Sequence, residues 1–306
     1  MPNVSRACLI FVCFLLAAQE RVEKIAGGFA FTEGPVWTHQ GYLLFSDIPN
    51  NVVRKWTPAG VSIFRNHSGY SGTDAPAGAY IGSNGLTIDR QGRLTICETG
   101  NRRVTRVEPD GTITVLADRY QGKRLNSPND LVYKSDGSLY FTDPPHGLPK
   151  EDQDPKKELA FNGIYRVKGK ELQLLSSELS RPNGIAFSPD EKYLYVSNSD
   201  ARRKIWMRFE VRPDGTLSKG SVFYDVTKET ADGLPDGMKV DERGNLYCTG
   251  PGGIWIFSAG GKHTGTIVPP ETPANLAWGG SAGKTLFITA RTSLYRVEMN
   301  VRGILP

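Results

Sequence analysis

Five oxygen-bearing side chains recur at one point of a repeated pattern, and together they have the chemistry of a hard-cation site. Glu33, Asn84, Asn129, Asn183 and Asp236 each open a segment made of a small or polar residue, an apolar strand, a turn and a second apolar strand. The segments read EGPVWTHQGYLLFSD, NGLTIDRQGRLTICE, NDLVYKSDGSLYFTD, NGIAFSPDEKYLYVS and DGMKVDERGNLYCTG. A sixth, ANLAWGGSAGKTLFIT, opens on Ala274 and leaves one side of the set without a donor. Buried carboxylates without partners are costly, whereas carboxylate and carboxamide oxygens converging on one point are what calcium requires. Softer metals lack ligands: His39, His67, His146 and His263 show no paired spacing, and there is no C-x-x-C. A single Asn-Gly or Asp-Gly is an ordinary turn. Glu33 and Asp236 in place of Asn at the same repeat position are what point to a metal.

The elements that must position these residues follow from the repeat. Successive starts are 51, 45, 54, 53 and 38 residues apart. Gly-bearing turns such as Arg90-Gln91-Gly92 and Ser135-Asp136-Gly137 join the two strands of a segment, which is hairpin chemistry. Room remains for two more strands in each repeat, as in RVTRVEP and TITVLAD, joined at Asp110-Gly111. Four short antiparallel strands repeated six times predict an all-β fold, a six-bladed β-propeller closed around a central channel. The last repeat lacks a fourth strand, so the alternating segment Arg21 to Gly27 is predicted to close blade six, removing an exposed edge. The long connections Arg65 to Ser83, Arg119 to Pro128, Pro144 to Ala160 and Thr227 to Pro235 should rim the channel mouth nearest the oxygens. Arg124, Asn126 and His146 lie in them and are candidates for contact with substrate hydroxyls.

Composition narrows the partners. The charge balance, 37 basic against 32 acidic residues, leaves +5 with no block of five like charges. Nucleic-acid and membrane-surface roles therefore have little support. Residues 1–20 read as a secretory signal: Arg6, then ACLIFVCFLLAA, with Ala17 and Ala18 before a cleavage point. The mature domain is then 21–306, periplasmic or secreted, with no stable membrane association. Only Cys97 and Cys248 remain in it, as buried thiols rather than a disulfide framework.

Several motifs together resemble one known family. EGPVW, SNGLTIDRQGRL, RVTR, NSPNDLVYKSDGSLYFTDPP, RPNGIAFSPDEKYLYVSN and PDGMKVDERGNLY are similar to the gluconolactonase and regucalcin (senescence-marker-protein) family, across residues 30–298. The resemblance implies a six-bladed propeller with one divalent cation, often calcium, at the tunnel centre, and hydrolysis of sugar lactones or related esters. It places metal ligands on Glu33, Asn183 and Asp236, with Asn129 on the metal or the substrate. Thr99 and His146 stand where bacterial members often carry His and Tyr. The reading is thus a lactone hydrolase using calcium, with zinc, magnesium or manganese as substitutes. Asp236 is the candidate general base and Glu33 the runner-up; Asn84, Asn129, Arg124 and His146 are substrate contacts. A serine-nucleophile route is not expected. The alternatives are a non-catalytic calcium- or ligand-binding propeller and a hydrolase of other esters or phosphotriesters.

Overall fold

The computed structural model describes residues 21–75 and 78–306; the signal segment predicted at 1–20 lies outside the described residues. Six four-stranded antiparallel sheets form the ring of a six-bladed propeller. Their innermost strands are Thr32–Trp37, Ser83–Ile88, Leu131–Tyr133, Pro182–Phe187, Met238–Val240 and Pro273–Gly279. No α-helix occurs among the described residues; one 3-10 turn spans Glu151–Gln153. A two-stranded hairpin, Arg119–Tyr120 with Lys123–Arg124, stands in the connection entering blade three.

The expected ring closure is present. Glu23–Gly27 pairs antiparallel with Ser293–Glu298 and becomes the outer strand of blade six.

Burial is divided among the blade interfaces rather than gathered in one core. Val36, Leu44 and Val53 of blade one interlock with Leu86, Ile88 and Ile96 of blade two. Equivalent clusters join the other neighbours, and the last couples Phe45 and Trp56 of blade one to Phe287 and Leu294 of blade six. Each sheet buries both faces against its neighbours, as stacked blades require. Cys97 and Cys248 are buried free thiols in these interfaces, as expected.

Candidate metal centre

Each ring residue sits at or just before the start of an innermost strand, where the ladder is irregular. Register shifts fall between Glu33 and Val36, Ser83 and Leu86, Pro182 and Ile185, and Pro273 and Asn275. Such bulges bend a strand and re-aim its side chains. In blades three and five the innermost strand begins only after the ring residue. Gly34 adopts φ +48, and a Cβ there would fall 2.0 Å from the Asn84 carbonyl oxygen, so only glycine allows the first two blades to approach this closely.

Hydroxyls of the second strands hold the ring carbonyls in place. Ser46 Oγ donates to Asn84 O (2.7 Å), Thr142 Oγ1 to Asn183 O (2.7 Å), Ser197 Oγ to Asp236 O (2.8 Å) and Thr249 Oγ1 to Ala274 O (2.9 Å). Each bond runs from one blade to the next. Blade two carries Cys97 at the matching position, and there the Gly85 N–H donates to Asn129 O at 2.6 Å instead.

The repeat starts of neighbouring blades lie side by side: Gly34 against Asn84 O, Gly85 against Asn129 O and Gly184 against Asp236 O. Glu33, Asn84, Asn129 and Asn183 are buried, and Asp236 keeps a small open face. Two further side chains join them. Asn275 Nδ2 donates to Glu33 Oε2 (3.0 Å) and to Asp130 Oδ2 (3.3 Å), and Asp130 is buried. The expectation that Ala274 leaves the sixth side open is therefore corrected: the bulge after Pro273 brings Asn275, the next residue, into the ring. Asp130, beside Asn129, was the other omission. An Asn one place beyond the repeat start and a second oxygen donor in the Asn-Asp pair were the signals available.

The electrostatics show excess negative charge. Burial, and then the charge of Asp130, push the Glu33 carboxyl up to about 7, although the Gly34 N–H donates to Oε2 at 2.6 Å. Asp236 is raised well above the carboxylate range by burial and by the charges of Glu33 and Asp130. Asn84 Oδ1, Asn183 Oδ1 and Asp236 Oδ1 are buried without any hydrogen-bond partner. Orphaned acceptors of this kind call for an explanation, and two carboxamide oxygens and Asp236 Oδ1 beside the raised Glu33 carboxyl fit a hard cation. Among the described residues no three His, Cys, Asp or Glu side chains gather tightly enough to hold an ion alone. A cation here would rest on carboxamides as much as on carboxylates.

The rim residues divide. Arg124 lies on the short hairpin with its guanidinium on Asn101 O (2.9 Å), and it makes no hydrogen bond to the ring. Asn126 is fully buried: its amide donates to Asp143 O, Phe161 O and Asn162 Oδ1, while its Oδ1 has no partner. His146 keeps Nδ1 3.4 Å from Glu151 Oε1, while its Nε2 is buried without a partner. Glu151 in turn accepts from Arg181 at 2.8 Å. The predicted loops do knit together: Gly147 N–H donates to Ser127 Oγ, Arg102 to Lys156 O, and Glu158 accepts from Arg124 N–H. A G-x-S-x-G run, Gly279 to Gly283, does occur in the sequence. It forms the hairpin turn after the innermost strand of blade six, at the strand end away from the ring, and no helix follows it. It lacks the strand-to-helix setting of a nucleophile elbow.

Residues 31–292 match the family described as SMP-30/Gluconolactonase/LRE-like region. The chain belongs to this family. A gluconolactonase of Zymomonas mobilis is 42% identical over 301 residues, which are 94% of this chain and 84% of that protein. The solved structure of a gluconolactonase from Xanthomonas campestris matches with TM-score 0.81 at 35% identity, covering 92% of this chain and 90% of its own. A calcium-binding regucalcin from Agrobacterium tumefaciens shares the fold with TM-score 0.74 at 19% identity, over 94% of this chain and 96% of that one.

Proposed function

We propose that this protein hydrolyses sugar lactones of the gluconolactone type, using one divalent cation, calcium foremost, held by Glu33, Asn129, Asn183 and Asp236. The observation that carries the cation is the set of unpartnered buried oxygens on Asn84, Asn183 and Asp236 beside the raised Glu33 carboxyl. The lactone reading is supported by membership in the family and by the Zymomonas gluconolactonase, 42% identical along nearly the whole chain.

When bound, the cation supplies Lewis acidity toward the lactone carbonyl and stabilises oxyanion charge. The protein's own residues do the rest. With a cation bound, Asp236 is held as a carboxylate and serves as the general base; its Oδ1 is buried and has no hydrogen-bond partner. It takes the proton of the attacking water as the new C–O bond forms. It then returns that proton to the ring oxygen as the lactone C–O bond breaks, giving the open hydroxy acid. Glu33 is less free for this work, because Oε2 already accepts from Gly34 and Asn275. Asn84 Oδ1 remains available to accept from a sugar hydroxyl. His146 Nε2, held through Nδ1 by Glu151, is a second candidate contact. We also place the mature protein outside the cytoplasm, on the apolar run Ala7 to Ala18 with Ala17-Ala18 at its end.

A lactone panel tests the reading. Hydrolysis of gluconolactone is expected to vanish after chelation and to return when calcium is restored, with zinc, magnesium and manganese compared. Turnover that survives exhaustive chelation, or the absence of turnover on every lactone with every cation, would overturn it.

A further inference from the structure

A cavity of about 280 Å³ occupies the tunnel on the side away from the oxygen ring. It lies just under the size of ordinary small-ligand sites, roughly 300–1,000 Å³. Its wall is mainly apolar, with Trp37, Leu86, Ile185, Phe187 and Trp278 among the lining residues. Residues 302–306 cross its outer mouth. Glu242 N–H donates to Arg302 O (2.9 Å), Ile304 N–H donates to Val240 O (3.0 Å), and Gly303 lies flat against the Trp278 indole. Ile304 and Leu305, also in the lining, keep 46% and 39% of their surface exposed, which leaves apolar surface at the entrance.

The charged groups of this cavity are mostly cationic: Arg90, Lys134 and Lys239 against the one acidic side chain, Glu191. Lys239 lines it, and its ammonium makes one hydrogen bond, to Met238 O at 2.9 Å, with no ion-pair partner among the described residues. Arg90 stands at the hairpin end, exposed and also without an ion pair among the described residues. The acid of the lining, Glu191, is already paired with Lys134 at 2.7 Å. Lys239 is half-buried, its charge reaches only the distant Glu33, and a carboxylate in the cavity would give its ammonium a direct partner. A neutral or cationic ligand would leave the ammonium without that partner.

We propose that this cavity is a second binding site, separate from the candidate metal centre, for a monocarboxylate with a hydrocarbon tail, a medium-chain fatty acid in size. The carboxylate meets Lys239 and the tail lies against Trp37 and Trp278. The cavity lining shares no residue with the ring, although the charge of Lys239 reaches Glu33 and lowers its carboxyl.

Calorimetric titration of the whole protein with decanoate tests this, with decanol and decyltrimethylammonium as head-group controls. Decanoate is expected to bind at one site, at least about tenfold more tightly than either control, and to bind equally well in the presence of chelator. Lys239→Met should weaken decanoate about tenfold or more, equivalent to roughly 1.4 kcal/mol, while Lys239→Arg retains it. Bound decanoate should also change tryptophan fluorescence, an effect reduced by Trp37→Phe. Absence of decanoate binding, equal binding of decanol, or an undiminished affinity in Lys239→Met would overturn the proposal. The head-group comparison uses the unaltered protein, so it decides the matter even if the Lys239 variants fold poorly.

Discussion

Asn275 is an amide where one more acid would be harmful. Glu33, Asp130 and Asp236 already crowd negative charge into the ring, and Asn275 answers two of them as a donor. Removing it with Asn275→Ala frees Glu33 Oε2 from its orienting contact, and loss of such an outer contact costs about 10–100-fold in metal affinity. Calcium titration should show that loss while the melting temperature at saturating calcium changes little. Asp236→Asn keeps the shape and removes the base; steady-state assay on gluconolactone should show turnover reduced by about 10²–10⁴-fold, the usual worth of a positioned acid–base group. Retained wild-type rates would assign the base elsewhere. Glu33, Asn84, Asn129, Asn183 and Asp236 were legible because they recur at one repeat position. Asn275 was not, because a bulge shifts the inward side chain by one place and a fixed register cannot anticipate it.

At the scale of the strand, the site is built by bulges and by hydroxyls reaching from one blade to the next. Thr142→Val preserves volume but removes the donor to Asn183 O. A buried carbonyl left unpaired costs about 1–3 kcal/mol, so thermal unfolding should fall by several degrees and calcium affinity should weaken with the loosened Asn183. Gly34→Ala is harsher, since both the positive φ and the 2.0 Å approach to Asn84 O forbid a side chain. Soluble yield and melting temperature should both drop, and a variant as stable as the wild type would contradict the close packing of blades one and two. The strands and hairpin turns were readable from alternation and Gly placement. The hydroxyl ladder was present as Ser46, Thr142, Ser197 and Thr249, each one residue before the end of its apolar run or close to it, but its purpose depends on an adjacent blade that no local pattern names.

The whole molecule depends on ring closure, and Glu271 joins the parts that close it. Its carboxylate accepts from Thr292 N–H (2.9 Å), Tyr295 OH (2.9 Å) and Ser293 Oγ, and it faces Lys24 of the closing strand at 3.5 Å. Burial pushes this carboxyl up, but the hydrogen bonds from Ser293, Thr292 and Tyr295 outweigh it and hold it at about 2, below the ordinary 4.5. A depressed folded value means the stabilisation is present above pH 4.5 and is lost as pH falls toward 2. Glu271→Gln should therefore melt below the wild type at neutral pH, and the two curves should converge across that acid window. A difference that stays constant with pH would deny the carboxylate its role. That the segment around Glu23–Gly27 completes blade six could be read from the missing fourth strand; the ties that Glu271 makes could not, because they span Lys24 to Tyr295 and exist only in the closed ring.

The proposed cation sits where the blades meet, on Glu33, Asn129, Asn183 and Asp236. A crystal structure of the calcium-soaked protein, with anomalous data collected, tests it most directly. A single strong peak is expected at the ring centre, with oxygens of Glu33, Asn129, Asn183 and Asp236 about 2.3–2.6 Å away, the bond lengths calcium takes. A ring left empty at saturating calcium, or a calcium peak bound only by residues outside this set, would contradict it.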